Sequence, residues 1–400
     1  MPRTFWILCG GMLVNRAGSF VLIFLSVYLT QSRGFSITTA GMIVALYGAG
    51  GMLASLAGGF FADHIGRRAT MLGALTLGGL GIIGLGFARD LRVIAPMVFA
   101  VAFFGEAYRP AMQAAVSDLV PAENRVRAFG ILYWAINVGF SIGAILGGAL
   151  AQSSFLWLFI GDGVTTLLFA FLIARAVPET RPTPASHAAG SARRGVLHDL
   201  LAPYLDGPFG AFVLLAVLTM LVFLQHVSTL PIDMSAHGVQ RTSLGAVLAI
   251  NGIVIVLLQP FLAPYLQRWN RSYVLAVGAS LIGLGFGLYA LARTPVGYGV
   301  GVLIWTLGEI CVLPISNAVV GDIAPSHMRG RYQGAYGLSF GFSGLCAPLV
   351  GTFVLQHFGG HTLWWSCLAV GVIAAVGHLL LAPALTRLRE ERIAQRATSG

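Results

Sequence analysis

Long runs of apolar residues, separated by short polar breaks, fill most of this 400-residue chain. Most runs hold about 20 residues or a few more, the length that an α-helix needs to cross the hydrocarbon core of a bilayer. The pattern predicts twelve membrane-spanning helices, numbered spans 1 to 12: 5–30, 38–62, 69–88, 93–118, 128–151, 155–176, 209–231, 243–266, 273–292, 296–321, 333–356 and 362–382. The expected fold is an all-α membrane protein.

Composition supports the same class of protein. Hydrophobic residues make up 57% of the chain and charged residues only 10%, which is too little charge to cover the surface of a soluble domain. The 52 glycines are also typical of membrane helices, where small residues let backbones approach closely. Lipid, not water, is therefore expected to surround most of the chain.

The positive charge of the chain comes from arginine alone, because lysine is absent. The arginines are spread over short loops and do not form one stripe, which argues against nucleic-acid binding. Alternate connections between spans carry seventeen arginines on one side and five on the other. The positive-inside rule then places both termini in the cytoplasm, and we expect a multi-pass protein of the bacterial inner membrane.

The longest polar stretch divides the chain into two halves. Residues 181–208 are rich in proline, serine and alanine, and 196–205 has the leucine spacing of a short surface helix. The expected organisation is a first six-helix bundle over 1–180, a cytoplasmic linker over 181–208, a second six-helix bundle over 209–385 and a basic cytoplasmic tail over 386–400.

A segment of the first half recurs in the second half. Residues 105–130 hold a Gly-Glu pair, two prolines, an aspartate and two arginines in the same order as residues 308–334. The offset is 203 residues at the Gly-Glu pair and 204 from the first shared proline onward. Parallel repeats of this kind predict two bundles related by pseudo-symmetry.

The loop after span 2 carries an ordered charge motif. It reads Gly59-Phe-Phe-Ala-Asp63-His64-Ile-Gly66-Arg67-Arg68, and it resembles the loop motif G-x-x-x-D-[RK]-x-G-R-[RK] of the major facilitator superfamily, with His64 as the only departure. The resemblance implies a latch that holds the cytoplasmic side closed; the alternative is a turn whose charges are merely satisfied. The gating candidates are Asp63, Gly66, Arg67, Arg68, Asp118 and Arg125 in the first half, and Asp322 and Arg329 in the second.

Span 5 carries small residues at helical spacing. Gly139, Gly143, Ala144, Gly147 and Gly148 resemble the motif G-x-x-x-G-P-x-x-G-G of the drug:proton antiporters of that superfamily, with alanine in place of proline. The resemblance implies export. The alternative is ordinary close packing between membrane helices.

Three carboxyl groups within the spans are candidates for proton coupling: Glu309, Glu106 and Asp162. A charge at a helix centre costs at least about 2.5 kcal/mol unless it faces a cavity or a partner. Glu106 is three residues from Arg109 and can pair with it, either as a switch or as a permanent structural pair. Asp162 is alternatively an inter-helix hydrogen bonder, and Glu309 has no arginine beside it in its span.

Other polar and aromatic residues of the spans are expected to line a substrate cavity: Asn15, Arg16, Arg109, Gln113, Asn137, His226 and Trp305. Aromatic residues near span ends are expected at the membrane interfaces: Tyr28, Trp157, Trp364 and Trp365. The chain has no nucleotide-binding loop, no Cys/His cluster and no large soluble segment, so we expect no ATP drive, no metal, no cofactor and no enzyme activity.

Together these features predict a proton-coupled secondary transporter that works by alternating access and exports small amphiphilic or cationic compounds. The expected partners are a small-molecule substrate, protons and the lipid bilayer, and the expected state is a monomer. One alternative is a transporter of the same superfamily for a peptide, sugar, siderophore or organic anion, since Arg16 and Arg109 can hold an anionic group. A second alternative is a non-transporting membrane sensor.

Overall fold

A computed structural model of the protein describes residues 1–121, 124–180, 202–266, 268–325 and 329–398, without the side chains at 56, 63, 125, 126, 202, 263, 264, 329–331, 333 and 393–398. In this part of the chain, eleven helical segments are apolar and long enough to cross a membrane. The last of them, Gly334–Arg392, has 59 residues and a kink at Gly359, where φ is +82°. A helix of that length spans about 90 Å, enough for two crossings of a core about 30 Å thick. The predicted all-α membrane fold is confirmed.

The helices follow the predicted spans closely. Their bounds are Arg3–Ala17 and Val21–Val27 (span 1), Ile37–His64 (span 2), Arg67–Phe87 (span 3), Leu91–Leu119 (span 4), Arg125–Ser153 (span 5), Phe155–Ala176 (span 6), Gly207–Phe223 and Gln225–Ala236 (span 7), Arg241–Leu266 (span 8), Arg271–Gly287 (span 9), Pro295–Ile323 (span 10) and Arg329–Thr398 (spans 11 and 12). Tyr28–Ser32 adds a π-helical turn, and Ala202–Leu205 and Leu288–Ala290 are 3₁₀ turns.

Short polar side chains fix where several helices begin. Each accepts a hydrogen bond from a backbone N–H of the first turn, which would otherwise lack an acceptor. The capping residues are Ser36, Asp90, Ser154, Asn270 and Thr294. Because all five stand at the polar breaks between apolar runs, the span beginnings could be placed from the sequence within a few residues.

Spans 1 and 7 are interrupted, which the apolar pattern did not predict. The first helix of span 1 ends at Ala17 and the next begins at Val21. The first helix of span 7 ends at Phe223 and the next begins at Gln225, a corresponding place in the second half. Broken helices at membrane depth leave backbone groups free for other partners, and such breaks commonly border transport sites.

Packing within each half is dense, and in the described part of the chain the halves meet mainly along two seams, with a smaller contact between spans 1 and 7. Span 2 packs on span 4 in the first half, and span 9 packs on spans 10 and 12 in the second. Between the halves, span 2 contacts span 11 and span 5 contacts span 8. The domain boundaries at 180 and 208 stay a prediction. Linker residues 181–201 lie outside the described residues. Of the predicted surface helix over 196–205, only the 3₁₀ turn Ala202–Leu205 is described.

Glycines set the closeness of both seams. A methyl group added at Gly48 of span 2 would lie 2.5 Å from the carbonyl oxygen of Gly344 in span 11. One added at Gly252 of span 8 would lie 2.5 Å from the carbonyl oxygen of Asn137, and one at Gly245 would overlap the carbonyl oxygen of Ala144. No real side chain fits at such distances, so backbones touch directly along these seams.

The seams close one face of the molecule. We call the side of the 2–3, 4–5, 8–9 and 10–11 connections the arginine-rich face, and the other side the opposite face. At the opposite face the Thr38 N–H donates to Gln356 Oε1 over 2.7 Å. Arg241 donates to the carbonyl oxygen of Ala151 over 2.7 Å and lies 4.3 Å above the ring of Phe155. These contacts join the two halves and seal the opposite face.

The structure corrects part of the predicted aromatic belt. Trp157 and Trp365 are about half exposed, as interfacial residues should be. Tyr28 and Trp364 are only 3% and 1% exposed, so the prediction was wrong for these two. Position near a span end does not reveal which way a side chain points, and both rings turn into the helix bundle.

Candidate functional site

A cavity of about 240 Å³ lies in the first half beside the break in span 1. It is lined by residues from spans 1, 4 and 6 that the sequence had singled out: Asn15, Arg16, Glu106, Arg109 and Asp162. Most of the remaining wall is aliphatic, with the ring of Tyr47 added from span 2. The expectation that both arginines face one cavity therefore agrees with the geometry.

The two arginines of this cavity differ in their partners. Arg109 Nε lies 2.6 Å from Glu106 Oε2, so these two charges neutralise each other. Arg16 instead donates from Nη2 to the hydroxyl of Tyr108 over 2.6 Å. Within the described residues Arg16 has no carboxylate partner, and its buried Nε atom has no hydrogen-bond acceptor. Within the described residues the cavity thus holds one neutralised pair and one arginine whose guanidinium group is hydrogen-bonded to a tyrosine hydroxyl.

Asp162 supports the broken helix of span 1. Its side chain is buried, and Oδ2 accepts a hydrogen bond of 3.1 Å from the N–H of Val21, the first residue after the break. A carboxylate at a helix N-terminus satisfies a free donor and suits the positive end of the helix dipole. Next to it, Asn15 Nδ2 donates to Thr166 Oγ1 over 3.0 Å and ties the two spans together. This geometry favours the hydrogen-bonding interpretation of Asp162, while its proton-coupling role stays a prediction.

Replacing Asp162 by alanine is expected to lower the free energy of unfolding by about 1–3 kcal/mol, because the buried N–H of Val21 loses its acceptor. Asp162→Asn is the matched control, since its amide oxygen can still accept that hydrogen bond. Thermal unfolding in detergent measures both variants. Wild-type stability of Asp162→Ala would contradict the capping role, whereas a normally stable Asp162→Asn protein that has lost pH-dependent transport would assign Asp162 to proton coupling as well.

Glu309 of span 10 is buried in the second half with a relative exposure of 8%. Asn251 of span 8 donates from Nδ2 to Glu309 Oε2 over 2.6 Å, and the same amide lies 3.1 Å from Thr306 Oγ1. No ion pair of Glu309 is found among the described residues. The repeat places Glu309 at the position of Glu106, yet only Glu106 has an arginine beside it.

His226 and Trp305 pack against each other beside the break in span 7. Their rings lie 5.5 Å apart, and His226 Nδ1 is 2.7 Å from the carbonyl oxygen of Phe223. Trp305 is 1% exposed and donates from Nε1 to the hydroxyl of Tyr289 over 2.8 Å. In this state Trp305 has no open surface, so its predicted place in the cavity wall stays a prediction.

The other polar cavity candidates lie in two places. Asn137 is buried at the seam of spans 5 and 8, where its Nδ2 donates to the carbonyl oxygen of Tyr133 over 2.9 Å. Gln113 of span 4 and Asn317 of span 10 occupy equivalent repeat positions, and both are exposed in the half of the molecule near the arginine-rich face. Polar side chains at these positions suit an aqueous opening toward that face.

The loop after span 2 has the geometry of a charge-stabilised turn. Gly66 has a φ of +107°, a conformation that favours glycine, and Arg67 Nε lies 3.4 Å from Asp118 Oδ2. Glu179, which the sequence analysis missed, accepts hydrogen bonds from the backbone N–H groups of Arg67 and Arg68 over 2.9 and 3.1 Å. The side chains of the predicted gating residues Asp63, Arg125 and Arg329 lie outside the described residues.

In the second half the corresponding charges are supplied by the end of the chain. The helix of span 12 continues through the predicted basic tail to Thr398. Its Arg389 Nε lies 2.9 Å from Asp322 Oδ2, and Arg271 pairs with the same carboxylate. Burial raises the pKa of Tyr332 to about 12, so its hydroxyl keeps its proton and donates to Asp206 Oδ2 over 3.0 Å. The sequence motif indicated only the loop arginines and did not predict that Arg389 of the last helix pairs with Asp322.

The small residues of span 5 contact two different neighbours. A methyl group at Gly139 would lie 2.6 Å from Arg16 Cβ of span 1, and Gly143 faces the same break. One at Gly147 would lie 2.9 Å from the ring of Phe24, and one at Gly148 would lie 2.7 Å from the carbonyl oxygen of Arg241. The motif therefore packs span 5 against the broken helix on one side and against the second half on the other.

The site presents charged and ionisable side chains inside the membrane-spanning part of the chain. Within the described part of the chain, no group of three or more His, Cys, Asp or Glu side chains is placed to hold a metal ion. Within the same part of the chain, the cavity offers carboxyl groups, an arginine without a carboxylate partner and a mostly aliphatic wall.

Comparisons with known proteins agree with this architecture. The chain is 28% identical to the uncharacterized MFS-type transporter YttB of Bacillus subtilis (strain 168), over 98% of this chain and 96% of that one. It is 24% identical to a Na(+), Li(+), K(+)/H(+) antiporter of Planococcus maritimus, over 86% and 87% of the two chains. It is 25% identical to the class C tetracycline resistance protein of Escherichia coli, over 87% and 86%.

Solved structures share the fold at low sequence identity. The crystal structure of a peptide transporter POT in complex with sulfate has a TM-score of 0.82 and 16% identity, and the match covers 97% of this chain and 96% of that one. The family profile described as Major Facilitator Superfamily matches residues 8–345 and 226–399, which together cover nearly the whole chain. The chain therefore belongs to the Major Facilitator Superfamily, a family of membrane transporters.

Proposed function

We propose that this transporter exchanges protons for small amphiphilic or cationic compounds and exports them by alternating access. The observation that carries the proposal is Glu309, a buried carboxyl group with an amide donor and no ion-pair partner among the described residues. An ionised carboxylate in such a place is costly unless something neutralises it. A proton or a cationic substrate can each do so, but not both at once. Competition for one carboxyl group is the physical basis of antiport.

The direction of exchange follows from the sidedness of the chain. The arginine excess assigns the arginine-rich face to the cytoplasm, and the described state is sealed at the opposite face. In this state Glu309 exchanges its proton for a substrate cation that enters through the cytoplasmic opening. Closing that opening and parting the seams then presents the cation to the outside, where a proton replaces it.

Two relatives support export over uptake. One is described as a tetracycline resistance protein and the other as an antiporter of alkali cations and protons. Resistance and cation–proton exchange both fit a carboxyl group that binds either a cation or a proton. The small residues of span 5, which resemble the antiporter motif, support the same direction.

A second function has one specific observation in its favour. Arg16 contacts Tyr108 but no carboxylate among the described residues, and its Nε is buried without an acceptor. A carboxylate or phosphate group of a substrate would satisfy it. On this basis the transported compound would be an organic anion or a zwitterion such as a peptide.

Proteoliposomes with an imposed pH gradient distinguish the two functions. We expect the gradient to drive movement of ethidium, an amphiphilic cation, and a protonophore to abolish that movement. Carboxyfluorescein, an organic anion, should not respond. Protein-free liposomes provide the control for leakage. Gradient-driven movement of carboxyfluorescein alone would favour the anion transporter, and no response of ethidium or a second cation such as tetraphenylphosphonium would contradict cation export.

A further inference from the structure

A second buried carboxyl group lies near the opposite face, away from both the first-half cavity and Glu309. Asp233 of span 7 is 4% exposed, and its Oδ2 accepts a hydrogen bond of 2.6 Å from the hydroxyl of Tyr298. His237 Nδ1 lies 2.9 Å from the backbone carbonyl oxygen of Asp233, 3.0 Å from the hydroxyl of Tyr298 and 3.6 Å from Asp233 Oδ2. We call these three residues the Asp233 cluster. None of them was singled out by the sequence analysis.

The surroundings of the Asp233 cluster leave its charge without an arginine partner among the described residues. The nearest arginine, Arg293, bonds to the carbonyl oxygen of Ala292 and lies 2.9 Å from His361 Nε2. From span 9 the ring of Tyr289 stands 5.4 Å from that of Tyr298. The Asp233 carboxyl group is therefore faced by His237, Tyr298 and Tyr289, while the nearby Arg293 bonds to other groups.

A buried donor also points into the Asp233 cluster. Trp364 of span 12 is 1% exposed, and its Nε1 has no hydrogen-bond partner within the described part of the chain. A methyl group at Gly360 would lie 2.7 Å from Asp233 Oδ1 and 3.5 Å from Trp364 Nε1, so both atoms border the same small space. Of the four polar groups here, the Trp364 N–H has no lone pair to offer a metal cation, and the Tyr298 hydroxyl already donates its proton to Asp233. The arrangement suits a proton on the carboxyl group better than an alkali ion.

We propose that the Asp233 cluster is a second proton-binding site, which loads and releases its proton through the opposite face. The side chain of His237 is 30% exposed and gives the cluster its contact with solvent. A proton from water binds His237 Nε2, and the proton on Nδ1 passes to the hydroxyl oxygen of Tyr298. The hydroxyl proton of Tyr298 passes to Asp233 Oδ2. Tyrosine ends as it began, histidine ends neutral with its proton on Nε2 in place of Nδ1, and Asp233 has gained one proton. Exchange of the ring proton with water restores the Nδ1–H form of histidine.

The Asp233 cluster and Glu309 share one face of span 10. Tyr298, Val302, Trp305 and Glu309 follow each other at spacings of four, three and four residues, so their side chains point the same way. The axial distance from Tyr298 to Glu309 is about 16 Å. Trp305, which is 1% exposed, separates them. In the described state the cluster contacts the opposite face and Glu309 does not, so two carboxyl groups can hold protons from different sides of the membrane.

Infrared difference spectra of the protein in lipid test the site without any transported compound. When the pH is lowered, the carbonyl band of a protonated carboxyl group should appear, and it should be lost in Asp233→Asn. Asp90→Asn, which changes an exposed acid of the same face outside the cluster, should keep it. The proposal would be overturned if, at every pH, the wild-type protein shows no carboxyl band that is missing from Asp233→Asn.

The relay is tested by rates and sidedness. After a pH step the Asp233 band should appear at least about tenfold more slowly in Tyr298→Phe and in His237→Gln than in the wild-type protein. It should follow a step outside right-side-out vesicles and not outside inverted ones. Unchanged rates, or a response from the arginine-rich face, would overturn the relay. The link between this site and export rests on the proposed function. If the protein shows a normal Asp233 band but transports neither ethidium nor protons, the proposed function is refuted and the proton-binding site is still supported.

Discussion

Replacing Glu309 by glutamine is expected to abolish proton-driven movement of ethidium, down to the level of protein-free liposomes. Glutamine keeps the shape of the side chain and an oxygen that can accept the hydrogen bond from Asn251. It cannot release a proton or carry a negative charge, so it cannot alternate between a proton and a cation. Because no packing is lost, the free energy of unfolding should change by no more than about 1 kcal/mol.

The measurement compares gradient-driven ethidium uptake of wild type, Glu309→Gln and Glu390→Gln in proteoliposomes, with thermal unfolding of each. Glu390 is an exposed glutamate of the last helix and is the matched control, because the same chemical change there touches no buried site. Wild-type coupling in Glu309→Gln would remove this residue from the exchange site. In that case Glu106, which pairs with Arg109 over 2.6 Å, would be the remaining candidate on the equivalent span.

Replacing Gly245 by alanine is expected to keep the opposite face from closing. The added methyl group would overlap the carbonyl oxygen of Ala144, so spans 5 and 8 must separate at this seam. Overpacking of a close contact costs about 1–3 kcal/mol. That cost falls only on the state with the closed seam, and it shifts the ratio of the two states by about fivefold to 150-fold toward the state that is open at the opposite face. Transport should slow accordingly, since each cycle must pass through the closed seam.

Spin labels at Ser32 and Gln240 report the change as a distance across the opposite face. Both positions are exposed there, one in each half, and the native free cysteines are replaced first. The distribution of distances should move to longer values in Gly245→Ala. Gly73→Ala is the control, because a methyl group at Gly73 of span 3 meets no atom within 4 Å. Identical distributions in Gly245→Ala and wild type would show that this seam does not limit closure.

The close glycine contacts of the seam between spans 5 and 8 lie near the buried carboxyl group of Glu309. In the proposed mechanism the seams determine which face is open, and the carboxyl groups determine what is transported when the open face changes. Glu309 lies one span away from the seam of spans 5 and 8, because its hydrogen-bond partner Asn251 is adjacent to Gly252. A change in that seam therefore moves the donor that holds the carboxylate.

The sequence by itself determined the membrane class, the spans and the repeat. The free energy of placing a helix in lipid depends mainly on the polarity of its own side chains, so it can be summed along a run without knowing any neighbour. The same reasoning located Glu106 and Glu309 as costly charges, and the spacing of three residues was enough to foresee the pair of Glu106 with Arg109. Gly66 was likewise readable, since a tight turn between two spans favours glycine.

Only the tertiary structure decided which groups meet across spans. It assigned Asp162 to the N–H of Val21, Glu179 to the backbone of Arg67 and the end of the chain to Asp322. It also brought Tyr298 of span 10 to Asp233 and His237, which lie four residues apart on span 7. Hydropathy and local spacing carry no information on such contacts, because a hydrogen bond between spans depends on how two helices are rotated and how deeply each one sits. Those quantities are fixed only when all the helices pack at once.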